Sequence, residues 1–197
     1  FDVDLWVRQG LAMLDRMPDG PCGVAGHSMG GAIAMKIAAA SDRVTHVLTS
    51  STAGTSYPLT AALEAFWSLP ADRAELRAAM ENMMFDPAAV TDGMIEGRWD
   101  LLAQDGYADY FGTMFGGERQ RYVDAGLVSD AELAALTAKK ISLIHGTDDK
   151  PCPADLTSVK LAERLPHATL ELIDDCGHNL PRESTDRYLA AARTLFG

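Results

Sequence analysis

The stretch Val24–Ala40, reading VAGHSMGGAIAMKIAAA, puts one serine between two glycines where an apolar run gives way to a helix of small and aliphatic residues. A strand that becomes a helix within one residue leaves few ways to continue. The helix must pack back on the sheet, and the next strand then runs parallel to the first. Val44–Leu48 is the next apolar run. Gly26-His27-Ser28-Met29-Gly30 also fits G-x-S-x-G, in which a serine on a strained strand-to-helix turn needs a glycine two residues to either side so that neighbouring backbone can approach. With Gly and Ser each roughly 7% of residues, the pattern arises by chance in about one chain of this length in fifteen. The strand before it and the helix after it make Ser28 a candidate nucleophile instead of a plain turn residue.

Around this unit the pattern is regular. Leu5, Val7, Leu11, Met13, Leu14 and Met17 recur near helical spacing until Pro18-Asp19-Gly20-Pro21 stops them. Strand signals return at Ile141–His145 and Thr169–Ile173, with a helix near Ala154–Leu165 between them and a last helix from about Glu183 to Phe196. Between Leu59 and Thr137 they vanish. Short helices are expected there, with Asp86-Pro87 as an N-cap followed by proline at the first helical position, and Ser129 with Glu132 as a capping box. The expected fold class is α/β, a mostly parallel sheet with a helical insertion. Residues 1–55 would hold the nucleophile half of the core, 56–138 the insertion and 139–197 the acid and histidine half.

A serine hydroxyl needs a base to take its proton, and the base needs an acid to orient it. The run from His145 to Pro153 begins at the end of a predicted strand, where side chains emerge from a parallel sheet. Asp149, three residues after Gly146, is the expected acid, with Asp148 as the alternative. Cys176-Gly177-His178-Asn179 follows the last predicted strand, so His178 falls at the same sheet edge and is the expected base. Ser28, Asp149 and His178 then occur in the chain order of one hydrolase class. The N–H of Met29, at the helix start, would face an oxyanion formed beside Ser28. His27, His46, His145 and His167 have simpler readings, as a neighbour in the turn, surface positions or a strand end.

Charge limits the partners. Lys and Arg number 17 against 28 Asp and Glu, a net charge of -11, which excludes a nucleic-acid surface. Residues 56–138 alone hold fourteen acidic residues against five arginines, about -9. Cys22, Cys152 and Cys176 lie far apart without metal-ligand spacing and read as reduced packing residues. No apolar run approaches the eighteen or more residues of a membrane span. These features suggest a cytoplasmic protein acting on a small molecule without a metal; self-association is left open. The chain begins on Phe1 within a helical pattern and reads as truncated.

The chain as a whole resembles the C-terminal two thirds of an α/β-hydrolase. Within that superfamily GTSYPLTAALEAFW, FDPAAVTDGMIEGRWDLL and MFGGERQRYVD are similar to the lid of the meta-cleavage product hydrolases, most of all the 2-hydroxymuconate-semialdehyde type. The resemblance implies cleavage of a carbon–carbon bond in 2-hydroxy-6-oxo-dienoates, the ring-fission products of aromatic degradation, with no metal or organic cofactor. It also implies that Arg98, in GRW, contacts the substrate's carboxylate and 2-oxo end. A dianion entering under an acidic lid needs such a fixed, bidentate cation. His27 stands where the family often has asparagine, and Asn179 where a tryptophan commonly follows the histidine. The resemblance further places earlier strands, and a second oxyanion donor, outside these residues. Ester or enol-lactone hydrolysis on the same triad is the alternative activity. An inactive binding module of the same fold is the alternative class, against which the intact Ser28, Asp149, His178 set counts.

Overall fold

In the computed structural model, which describes residues 1–197, the chain opens with α1 (Val3–Leu14), β1 (Cys22–His27), α2 (Met29–Ala40) and β2 (Val44–Ser50). Six helices follow: α3 (Ala61–Phe66), α4 (Arg73–Glu81), α5 (Asp92–Leu102), α6 (Tyr107–Phe115), α7 (Gln120–Ala125) and α8 (Asp130–Ala135). The chain then returns to the sheet with β3 (Lys140–Gly146), α9 (Ser158–Arg164), β4 (Thr169–Ile173), α10 (Leu180–Glu183) and α11 (Thr185–Phe196). All four strands are parallel, in the order β1-β2-β3-β4.

The strands outrun their apolar residues. β1 continues through Gly26 and His27 because these pair with Thr49 and Ser50 of β2, and ladder bonds do not depend on side-chain character. That extension brings Ser28 to the sheet edge. α9 is shorter than the expected Ala154–Leu165, since residues before Ser158 are held in turns, among them Leu156 N–H to Pro153 O. The last helix starts at Thr185, after the short α10 that contains Pro181. Asp86 does cap a Pro-initiated turn, but one 3₁₀ turn, Pro87–Ala89, and no longer helix. Ser129 and Glu132 exchange both bonds of a capping box at α8.

Side chains on successive β3 residues enter opposite layers, as a period of two requires. Ile141 and Leu143 join Met35, Ala38, Leu161 and Leu165 in the main core beneath α2 and α9. Ile144 points the other way, into a cluster with Ile173, Cys176 and Leu180, against Tyr188 and Ala191 of α11. The small residues of α2 let it lie close on the sheet: a Cβ on Gly31 would come 2.1 Å from Thr52 Oγ1. α8 joins the same core through Leu133, and Lys36 of α2 pairs with Glu132 at 3.0 Å in a mostly buried setting. α4–α6 have a core of their own around Leu76, Met84, Val90, Ile95, Leu102 and Phe111.

Candidate active site

Ser28 lies between the last residue of β1 and the first of α2, at φ 56°, ψ -126°. A positive φ at a non-glycine residue costs about 1–3 kcal/mol and persists only where the surroundings overdetermine it. They do so here. Ser28 N–H donates to Ser50 O at 2.9 Å, and Ser28 O accepts from the N–H groups of Gly31 and Ala53, both at 3.0 Å. A Cβ on Gly26 would lie 2.1 Å from Gly30 O, so the glycine before the serine is obligatory. The expectation for the glycine after it needs correction. A Cβ on Gly30 would meet nothing within 4 Å, and the crowded position is Gly31.

His178 reaches Ser28 from the loop after β4. Its Nε2 is 2.9 Å from Ser28 Oγ, and its Nδ1 lies 2.8 and 3.0 Å from the two Asp149 oxygens. Burial would push the Asp149 carboxyl up, but hydrogen bonds from His145 and His178 hold it well below the usual carboxylate range. An ionised carboxylate only accepts, so Nδ1 carries the imidazole hydrogen and Nε2 is free to accept the Ser28 proton. Asp149 is turned inward and buried, whereas Asp148 is exposed and bonds to Thr147 Oγ1. Cys152 N–H also donates to Asp149 Oδ1, at 2.7 Å. The His178 loop is pinned in turn: the N–H groups of His178 and Asn179 both donate to Met83 O, and Glu183 accepts from the N–H groups of Gly177 and Phe85.

Three further groups surround this chain. His27 lies tilted against His178, ring centroids 4.9 Å apart and planes at 50°, and places Nδ1 3.0 Å from Ser50 Oγ. Burial, and then His178, push His27 down to about 4, so it is neutral near pH 7. Cys152 Sγ lies 3.1 Å from Tyr57 Oη. Burial, and then Asp149, push its thiol up to about 12, and burial raises the Tyr57 hydroxyl as well. Asp149, Cys152 and His178 bring one potential metal ligand each within 4.8 Å. This donor set does not suit a cation, because the carboxylate and the Nδ1 hydrogen are bonded to each other and the thiol holds its proton. Met29 opens α2, so its N–H has no helical carbonyl behind it.

A cavity of about 370 Å³ opens on Ser28, Met29 and His178. Its far walls are apolar, with Leu63, Phe66 and Trp67 from α3 and the turn that ends it, and Phe111 and Phe115 from α6. A larger space of about 720 Å³, between β3, β4 and α11, is lined by none of these residues and is remote from the chemistry. Residues 1–192 match the model of the alpha/beta hydrolase family. The chain belongs to that family.

Its relatives sharpen the likeness. The alpha/beta hydrolase described here is 31% identical over 189 residues to the 2-hydroxymuconate semialdehyde hydrolase of Pseudomonas sp. (strain CF600), covering 95% of this chain and 66% of that protein. It is 28% identical over 179 residues to the 2-hydroxy-6-oxo-2,4-heptadienoate hydrolase of Pseudomonas putida F1, covering 90% of this chain and 64% of that one. The chain thus spans slightly under two thirds of the length of these relatives. A meta-cleavage product hydrolase (CumD) of Pseudomonas fluorescens IP01 superposes with a TM-score of 0.89 at 29% identity, over 98% of this chain and 71% of that one. No helix is long and apolar enough to cross a membrane.

Arg98, on α5, is half-buried and lines the same cavity. It forms no hydrogen bond or ion pair within the protein; the nearby Glu96 is taken by Arg73 at 2.8 Å. His145, read from the sequence as a strand end, is fully buried against Asp149. The sequence holds one hint of this, the four-residue spacing of the two across Gly146.

Proposed function

We propose that this alpha/beta hydrolase is a serine-dependent enzyme cleaving the C5–C6 bond of 2-hydroxy-6-oxo-dienoates. The observation that carries the reading is the unbroken relay from Ser28 through His178 to Asp149, opening on a cavity that also presents an unpaired Arg98. The named activities of the relatives supply the substrate class. In this reading residues 56–138 form a lid over the cavity, Arg98 holds the carboxylate and 2-oxo end of the dienoate, and the aromatic wall faces the C6 substituent.

The chemistry follows from these assignments. Ketonisation of the bound dienol moves the 2-hydroxyl proton to C5 and makes the chain beyond C5 an electron sink. Ser28 Oγ, or a water, gives its proton to His178 Nε2 and attacks C6. The oxyanion is stabilised by the Met29 N–H at the start of α2. As the tetrahedral species collapses, the C5–C6 bond breaks and its electron pair enters the dienolate, which is protonated on release. A Ser28 acyl-enzyme, where formed, is hydrolysed by water to the carboxylic acid. No step needs a metal or organic cofactor.

The test is turnover of a ring-fission dienoate and of p-nitrophenyl acetate side by side. Arg98→Ala should lower kcat/KM for the dienoate at least tenfold, about 1.4 kcal/mol, and leave the ester nearly unchanged. Equal losses on both substrates would make Arg98 structural. Ester turnover without dienoate turnover would establish the esterase alternative.

A further inference from the structure

His145 is the last but one residue of β3, wholly buried, with a partner at each ring nitrogen. Nε2 lies 2.8 Å from Cys152 O and 3.0 Å from Asp149 Oδ2, both acceptors. Nε2 therefore carries the hydrogen, bonds to Cys152 O and sets its N–H against Asp149 Oδ2. Nδ1 is hydrogen-bonded to Ser158 Oγ at 2.6 Å. The surroundings thus fix the Nε2 hydrogen of His145, and the first residue of α9 holds the ring from behind.

We propose that His145 is a positioning residue for Asp149, setting both the rotation of its carboxylate and the share of negative charge that reaches His178. Each oxygen of this carboxylate has two N–H neighbours. Oδ1 accepts from Cys152 N–H and from His178, whereas Oδ2 accepts from His178 and has His145 Nε2 3.0 Å away. Without His145, Oδ2 loses its second N–H neighbour and is left with the imidazole the carboxylate has to orient. No Lys or Arg pairs with Asp149. The other titratable groups facing the pair are His27 at the end of β1, neutral above about pH 4, and the Cys152 thiol and Tyr57 hydroxyl from the segments after β3 and β2, both of which keep their protons. Charge sharing with Asp149 thus falls to two imidazoles, and only His178 takes part in the chemistry.

The inference rests on the Ser28–His178–Asp149 reading, and its test separates the two. His145→Phe keeps a ring and removes the donor, while His145→Gln restores an N–H near the Nε2 position. His145→Phe should lower kcat/KM for p-nitrophenyl acetate about ten- to a hundredfold, the worth of one hydrogen bond to a charged group. It should also move the acid limb of the pH–rate profile upward, because more of the carboxylate charge then faces His178. His145→Gln should recover most of both effects. Ser158→Ala, which frees Nδ1, should move the limb in the same direction by less, and it decides the matter if circular dichroism shows His145→Phe to be unfolded. An unmoved acid limb in the folded variants, or equal losses in Phe and Gln, would overturn the role of His145. A fully active Ser28→Ala would defeat the triad reading itself.

Discussion

Asp149→Asn exchanges one oxygen for an NH₂ group at a site where every neighbour donates. If the amide nitrogen takes the Oδ1 position it confronts Cys152 N–H, a backbone donor 2.7 Å away that has no other tautomer. If it takes the Oδ2 position it confronts His178 Nδ1 at 2.8 Å and His145 Nε2 at 3.0 Å. The second arrangement is relieved when His178 moves its hydrogen to Nε2, which then donates to Ser28 Oγ and can no longer accept from it. That outcome removes the base, whereas the first keeps the tautomer and leaves Cys152 N–H without its acceptor. An amide at this place in a Ser-His-Asp set costs about 10⁴ in kcat, or about 5 kcal/mol of barrier. The buried donor left unsatisfied costs about 1–3 kcal/mol of stability in addition. Asp148→Asn, at an exposed residue bonded to Thr147, should change turnover by no more than about twofold. The assay is p-nitrophenyl acetate hydrolysis near neutral pH with thermal unfolding of each variant alongside. Equal losses from the two substitutions, or an Asp149→Asn enzyme within tenfold of the parent, would refute the argument.

Acid stability offers a second measurement on Asp149. Its folded pKa lies below the unfolded value of about 3.9, so its stabilisation is complete above about pH 4 and is lost as pH falls through the depressed folded value. Urea midpoints of the parent should decline in that range, and those of Asp149→Asn should decline less. His27 acts between about pH 4 and 6.5: the unfolded imidazole binds a proton there and the folded one does not, so stability falls as pH drops across this window. His27→Gln should flatten that slope, removing a dependence on the order of 3 kcal/mol, and an unchanged slope would show that His27 is protonated in the fold. Gly26→Ala would push a Cβ to 2.1 Å from Gly30 O, so the turn must open; a loss of about 1–3 kcal/mol and of most activity is expected. Gly30→Ala, with open space around it, should unfold no earlier than the parent.

What the sequence determined is what is local or periodic. The strand, strained turn and helix around Ser28 are contiguous in the chain, so glycine placement and apolar runs suffice to read them. The capping box at Ser129 and Glu132 is a contact across three residues and is equally legible. Four parallel strands with helices between follow from runs of four to seven residues and the rules that connect them. The tertiary structure decided everything that depends on orientation across long separations. Asp148 and Asp149 are adjacent and chemically alike, and only the turn after β3 sends one to His178 and the other to solvent. His145 reads as a strand end until β3 is packed on both faces and leaves it no water, which makes its bonds to Cys152 O and Ser158 compulsory. Arg98 carries two acidic neighbours in sequence, yet Arg73, twenty-five residues away, takes Glu96, and Arg98 lines the cavity without an ion pair. Which glycine is crowded likewise depends on Thr52, which β2 brings against Gly31. Hydrogen-bonding capacity is a property of residue type and can be read along the chain; which partner uses it is set by the approach of elements as much as 150 residues apart, as Ser28 and His178 are.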